Sequence, residues 1–162
     1  MKRALSALLL LIHPFSLFAK GDTVRITIKG ESLTQPIEIS DAAVIRRFDI
    51  WTGPGTTNRL DEGLNVDWAR PVADLPKGCQ LFEVAFEVAF TTGPRLRRYV
   101  VIYALAPSNH QGYVYIPGRD DPPYRDNVAL ILRGTEGKWF RALGVWEKIA
   151  NPRIAGSQSA HN

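Results

Sequence analysis

Three features of this 162-residue chain predict a mainly β domain, an antiparallel sandwich or curled sheet with one short helix. Residues 82–90 set Phe82, Val84, Phe86, Val88 and Phe90 against Glu83, Ala85, Glu87 and Ala89, the period-two alternation of a half-buried strand. Residues 98–105 and 113–116 repeat short β-branched and aromatic runs, each set off by turn-forming residues. No heptad, long helical stripe or domain-sized repeat interrupts that pattern. An α+β arrangement is the alternative.

The elements follow in order. Lys2 and Arg3 precede an apolar run over residues 4–12, broken only by Ser6, and His13-Pro14 ends it ahead of Ala19. That is the tripartite layout of a secretory signal peptide, with cleavage expected after Ala19. The run falls short of the ~20 residues that span a bilayer, so no stable membrane insertion is expected after cleavage. The protein is therefore expected to work outside the cytoplasm, in a periplasm or secreted. Residues 20–154 then form a single β-rich domain, and residues 155–162 a disordered polar tail.

Within that domain, residues 24–28 alternate as a strand and residues 36–39 as a second, shorter one. Ser40 or Asp41 offers an N-cap to a helix over 42–48, with Val44, Phe48 and Trp51 on one stripe. Residues 51–63 are a loop rich in Gly, Pro, Thr and Asn. Residues 65–68 make a brief strand before an irregular stretch through Pro71, Pro76 and Gly78. In the Phe-Glu-Val-Ala repeat of 82–90 a helix competes, but β-branched and aromatic content favours the strand. Its two glutamates also discourage pairing with other chains.

Gly93-Pro94 turns the chain into a strand over 98–105 that is apolar on both faces, hence central. Residues 113–116 complete a three-stranded meander. Residues 117–123 hold three prolines and form a loop. Residues 128–132 and 139–146 then read as a hairpin across the Gly134 to Gly137 turn, with a short helix at 128–132 as the alternative.

Composition restricts the chemistry. Removing residues 1–19 takes Lys2 and Arg3 from the 20 basic residues and leaves 18 against 16 acidic ones, a net of about +2. A charge of that size does not call for a nucleic-acid partner. Cys79 is the only cysteine, so no internal disulfide forms, and it is expected as a small buried hydrophobe. His13 leaves with the leader and His161 lies in the tail, so His110 alone could serve a catalytic triad or a zinc site. No catalytic residue, metal ligand or cofactor is assigned. Asp61, Glu62, Asp67, Asp120, Asp121 and Glu136 could supply a carboxylate pair for a small secreted hydrolase, but they read first as solvated turn residues. Arg95, Arg97 and Arg98 form a small basic cluster at a hairpin turn, a contact for an anionic envelope polymer if not simply solvated.

Aromatic rings are the better candidates for binding, because flat rings on a rigid sheet stack sugars or grip peptides. Trp51, Trp68, Tyr113, Tyr115 and Trp139 are the candidate ligand-binding residues, with Tyr124 and Trp146 in the same class. The competing reading is that these rings fill the core of a domain without disulfides.

The ordered landmarks Trp51-Thr52-Gly53-Pro54-Gly55, Val66-Asp67-Trp68, residues 112–118 (GYVYIPG) and residues 133–140 (RGTEGKWF), behind a signal peptide, resemble a group of uncharacterised secreted bacterial proteins. The likeness spans roughly residues 22–154. It implies export and a single domain, and it carries no activity, ligand or catalytic residue. The function expected is therefore a non-enzymatic extracytoplasmic domain that binds an envelope component, either a glycan or a protein partner. The alternatives are the carboxylate-dependent hydrolase and a structural subunit of an envelope assembly.

Overall fold

The computed structural model describes residues 22–46, 66–89, 96–127 and 134–159. The leader, Trp51 with its loop, and the Gly93-Pro94 turn lie outside the described residues. Seven strands form one antiparallel sheet: β1 (Asp22–Lys29), β2 (Ile37–Ile39), β3 (Val66–Val72), β4 (Gln80–Ala89), β5 (Leu96–Leu105), β6 (Gly112–Ile116) and β7 (Lys138–Ala142). Their order across the sheet is β2-β1-β4-β5-β6-β7-β3. The expected meander is β4, β5 and β6, paired from Phe82 with Tyr103 and from Tyr103 with Val114.

Strand alternation sorts the side chains onto two faces. One face carries Ile26, Ile28, Phe82, Val84, Phe86, Val88, Tyr99, Val101, Tyr103, Val114 and Phe140, all buried. It is covered by helix α3 (Gly144–Ser159), whose Trp146, Ala150 and Ile154 join that core. The second layer is thus a helix on a single sheet, not the second sheet of a sandwich. The glutamates of β4 point to the opposite face and are matched there. Arg25 donates to Glu87 through Nε (3.1 Å to Oε2) and Nη2 (2.8 Å to Oε2, 3.0 Å to Oε1), and Arg98 pairs with Glu83.

Helix α1 (Ala42–Ile45) starts where the sequence places it, with Asp41 Oδ1 accepting from the Ala43 amide at 2.7 Å. The short helix α2 (Tyr124–Asn127) follows the proline-rich loop and ends against β5. There the Asn127 side chain stands in for a neighbouring strand, because Oδ1 accepts from Val100 N at 2.8 Å and Nδ2 donates to Val100 O at 2.6 Å.

Four expectations need correction. β3 runs on through Pro71, where an irregular stretch was expected. It is the edge strand of the sheet, and an edge tolerates a residue that cannot donate to a ladder. β7 is flanked by β6 and β3, so it offers no free edge for the expected hairpin with 128–132. Residues 128–132 themselves lie outside the described ones. The last strand stops at Ala142, and residues 144–146 open α3. That helix carries on through Pro152 and through residues assigned to a disordered tail, as far as Ser159. A proline inside a helix withholds one amide from the carbonyl four residues earlier. Here that carbonyl is Lys148's, and both Lys148 and Pro152 are exposed.

Helix α3 is fixed to the β5–β6 hairpin by polar contacts as well as by its apolar stripe. The Tyr103 hydroxyl, fully buried, donates to Asn151 Oδ1 at 2.6 Å, and Asn151 Nδ2 donates to the His110 carbonyl at 3.1 Å. One turn earlier, Glu147 Oε1 accepts from Gln111 Nε2 at 2.7 Å and from Gly112 N at 2.6 Å. Burial, and secondarily the Glu147 charge, hold the Tyr103 hydroxyl well above the ordinary tyrosine range. A raised folded-state value favours the protonated form in the fold, so this contribution is whole below about pH 10 and is lost as pH rises further. Urea midpoints measured from pH 9 to pH 11 are expected to fall for the wild type and to fall less steeply for Tyr103→Phe. Parallel profiles would contradict this assignment.

Candidate functional site: the ring face of β6 and β7

On the face opposite α3, consecutive cross-strand pairs line up along β6 and β7. Tyr115 stands opposite Trp139 and Tyr113 opposite Arg141. Directly paired side chains on one face of an antiparallel sheet are in contact range. The Tyr115 and Trp139 rings meet with centroids 5.0 Å apart at 35°. Tyr113, Tyr115 and Trp139 are all half-buried, and Arg141 is exposed.

The same face extends towards β5 and β4. Ile102 is the register neighbour of Tyr115, and Leu81 lies beyond Ala104 in the row of Tyr113. Leu81, Glu83 and Ile102 line a depression of about 670 Å³ with Lys29, Gly30 and Cys79. A depression of this size beside half-exposed rings is in the range of small-ligand sites.

The ring pair is anchored at one end by the loop after β6. The Tyr115 hydroxyl donates to Asp121 Oδ2 at 2.7 Å, and the same oxygen accepts from Gly118 N at 2.7 Å. Burial, then the Asp121 carboxylate, push the Tyr115 hydroxyl up, so it remains a protonated donor in the neutral range. At the other end Gln111 is clamped. Its Nε2 donates to Gly112 O, Ala142 O and Glu147 Oε1, which turns its Oε1 towards Arg141 to accept from Nε at 2.5 Å.

Of the five residues read from sequence as ligand-binding, Tyr113, Tyr115 and Trp139 come together on this face. Trp68 is on the other face, packed against Phe140 with centroids 5.0 Å apart at 60°, where it supports the core. Trp51 lies outside the described residues. Trp146, in the wider aromatic set, is a core residue. Arg141 and Gln111 were missed. The alternation of 138–142 puts Arg141 on the Trp139 face, a signal that is diluted in a strand expected to run to Trp146.

The other candidate groups are engaged in local structure. Asp67 pairs with Arg70 at 3.2 Å, Glu136 Oε2 accepts from Gly134 N at 2.6 Å, and Asp121 holds the loop already described. Asp61 and Glu62 lie outside the described residues. Of the basic cluster, Arg98 is matched by Glu83, Arg95 is outside the described residues, and the side chain of Arg97 is not described. Cys79 is half-buried, and burial pushes its thiol up, the direction opposite to an activated nucleophile. His110 sits exposed in the β5–β6 turn at φ 55°, a left-handed position. Among the described residues no group of three or more His, Cys, Asp or Glu is arranged to hold a metal ion, and no helix is long and apolar enough to cross a membrane. Comparison with family models, with curated proteins and with solved structures finds no match to this chain.

Proposed function

We propose that the protein is a non-enzymatic extracytoplasmic domain that binds an envelope glycan on the Tyr113, Tyr115 and Trp139 face. The observation that carries this reading is the Tyr115–Trp139 ring pair, half-exposed and in register on two rigid strands with Tyr113 beside it. A pyranose offers an apolar C–H face and a polar rim. A fixed aromatic surface takes the first, and phenol, indole and guanidinium groups at its edge take the second. The extracytoplasmic setting rests on the leader-like first nineteen residues and on the resemblance to secreted bacterial proteins.

A thermal melt of the purified protein against a panel of cell-wall and plant oligosaccharides tests the reading. At about 100 times its dissociation constant a bound sugar contributes about 2.7 kcal/mol, which raises the midpoint by several degrees. The shift is expected with at least one sugar class, to vanish in Trp139→Ala and to persist in Trp68→Phe. A flat panel, or a shift that survives Trp139→Ala, would overturn it.

A further inference from the structure

Resting on the ring-face reading, we infer that the glycan is a carboxylate-bearing one, with a uronate carboxyl group taken by Arg141 beside Tyr113. Among the described residues the arginines near this sheet are mostly committed to carboxylates. Arg25 forks onto Glu87 with Glu38 nearby, Arg98 meets Glu83, and Arg70 meets Asp67. Arg141 differs. It is exposed, in register with a half-buried ring, and among the described residues no carboxylate pairs with it.

Among the described residues its hydrogen bond is from Nε to a neutral amide oxygen, Gln111 Oε1. That amide is itself fixed by three acceptors, the Gly112 and Ala142 carbonyls and Glu147. The arrangement holds the guanidinium through Nε, and among the described residues neither Nη group, a parallel pair of N–H donors, has a hydrogen-bond partner. A planar fork of this kind matches a carboxylate, and bidentate pairing adds direction as well as strength. The cation therefore stands one cross-strand pair, about 7 Å along the strand, from the Tyr115–Trp139 stack. A sugar ring lying on the aromatics can direct its C6 carboxyl group, or that of the next residue, to Arg141.

The test compares three probes by calorimetry: a hexamer of galacturonic acid, the methyl ester of the same hexamer, and cellohexaose. The ester removes the charge and keeps the sugar. The acid is expected to bind about tenfold or more tighter than its ester, since hydrogen bonds to charged groups are worth that much. The preference is expected to shrink as salt rises from 0.05 to 0.5 M. Arg141→Gln is expected to weaken the acid far more than the ester, so that the acid no longer binds tighter than its ester, and Arg141→Lys to restore only part of the difference. Melting curves of both variants confirm that the fold is kept.

Equal binding of acid, ester and cellohexaose, lost in Trp139→Ala, would overturn the carboxylate assignment and leave the ring face standing. An acid preference that survives Arg141→Gln would overturn it as well. Binding of none of the three, with a neutral sugar of another class shifting the melt, would also overturn the assignment. No shift with any sugar would overturn the ring-face reading itself.

Discussion

Trp146→Ala is expected to destabilise the protein by about 3–5 kcal/mol, the range for truncating a large buried aromatic. The indole is 3% exposed and lies between the sheet and the first turns of α3. It meets the Tyr103 ring edge-on at 5.9 Å and the Phe86 ring at 6.4 Å. Its loss leaves a cavity that the rigid strands β4 and β5 cannot close, and it loosens α3, whose remaining buried anchors are Ala150 and Ile154. Domains are stable by only about 5–15 kcal/mol in total, so such a loss is a large share of the margin. Equilibrium urea unfolding followed by circular dichroism measures it. A change below about 1 kcal/mol would mean that α3 is not packed on the sheet as described.

Gly112→Ala is the second large effect, expected at about 2–3 kcal/mol or more. A Cβ at position 112 would land on the Tyr103 hydroxyl and 2.5 Å from its Cε2. Tyr103 has nowhere to go, being fully buried with its hydroxyl on Asn151. Relief requires either moving the ring, which breaks that hydrogen bond, or moving β6, which breaks the Gly112 amide's bond to Glu147. The double variant Gly112→Ala/Tyr103→Phe removes the hydroxyl that the methyl meets, so its cost is expected to be smaller than the sum of the two single changes. Strict additivity in urea midpoints would contradict this account of the contact.

The residues that could be read correctly were those whose local pattern and tertiary role agree. Phe82 to Ala89 and Tyr99 to Leu105 alternate or run apolar as β4 and β5 demand, and Asp41 is both the local and the actual cap of α1. Structure runs further than the local pattern predicts at two places that hold a proline. Pro71 falls in a stretch expected to be irregular, yet it stands in the edge strand β3, where a residue that cannot donate to a ladder is tolerated. Residues 155–162 are expected as a disordered tail, yet the stripe Trp146, Ala150, Ile154 at four-residue spacing pins α3 to the sheet on both sides of Pro152. Packing of that stripe outweighs a proline cost of about 3 kcal/mol.

The site was half legible for a related reason. Alternation places Tyr113, Tyr115 and Trp139 on the faces of their own strands, but only the register of β6 with β7 shows that those faces coincide. Trp68 has the same local appearance and belongs to the core, because β3 joins the far edge of β7 with a register shift between Val66 and Pro71. Arg141 carries no local mark at all. It stands out because, among the described residues, no carboxylate neutralises it, which is a property of the folded sheet.

The central claim is that a glycan lies on one face of this sheet and not the other, and the indole N–H resonances read that directly. The chain has four tryptophans, and three of them, Trp68, Trp139 and Trp146, are placed by the fold. In a nitrogen-15 correlation spectrum titrated with the hexamer of galacturonic acid, the Trp139 indole signal is expected to move together with the Tyr113 and Tyr115 amides, while the Trp68 and Trp146 signals stay in place. A titration that moved Trp68 or Trp146 and left Trp139 unmoved would contradict the account.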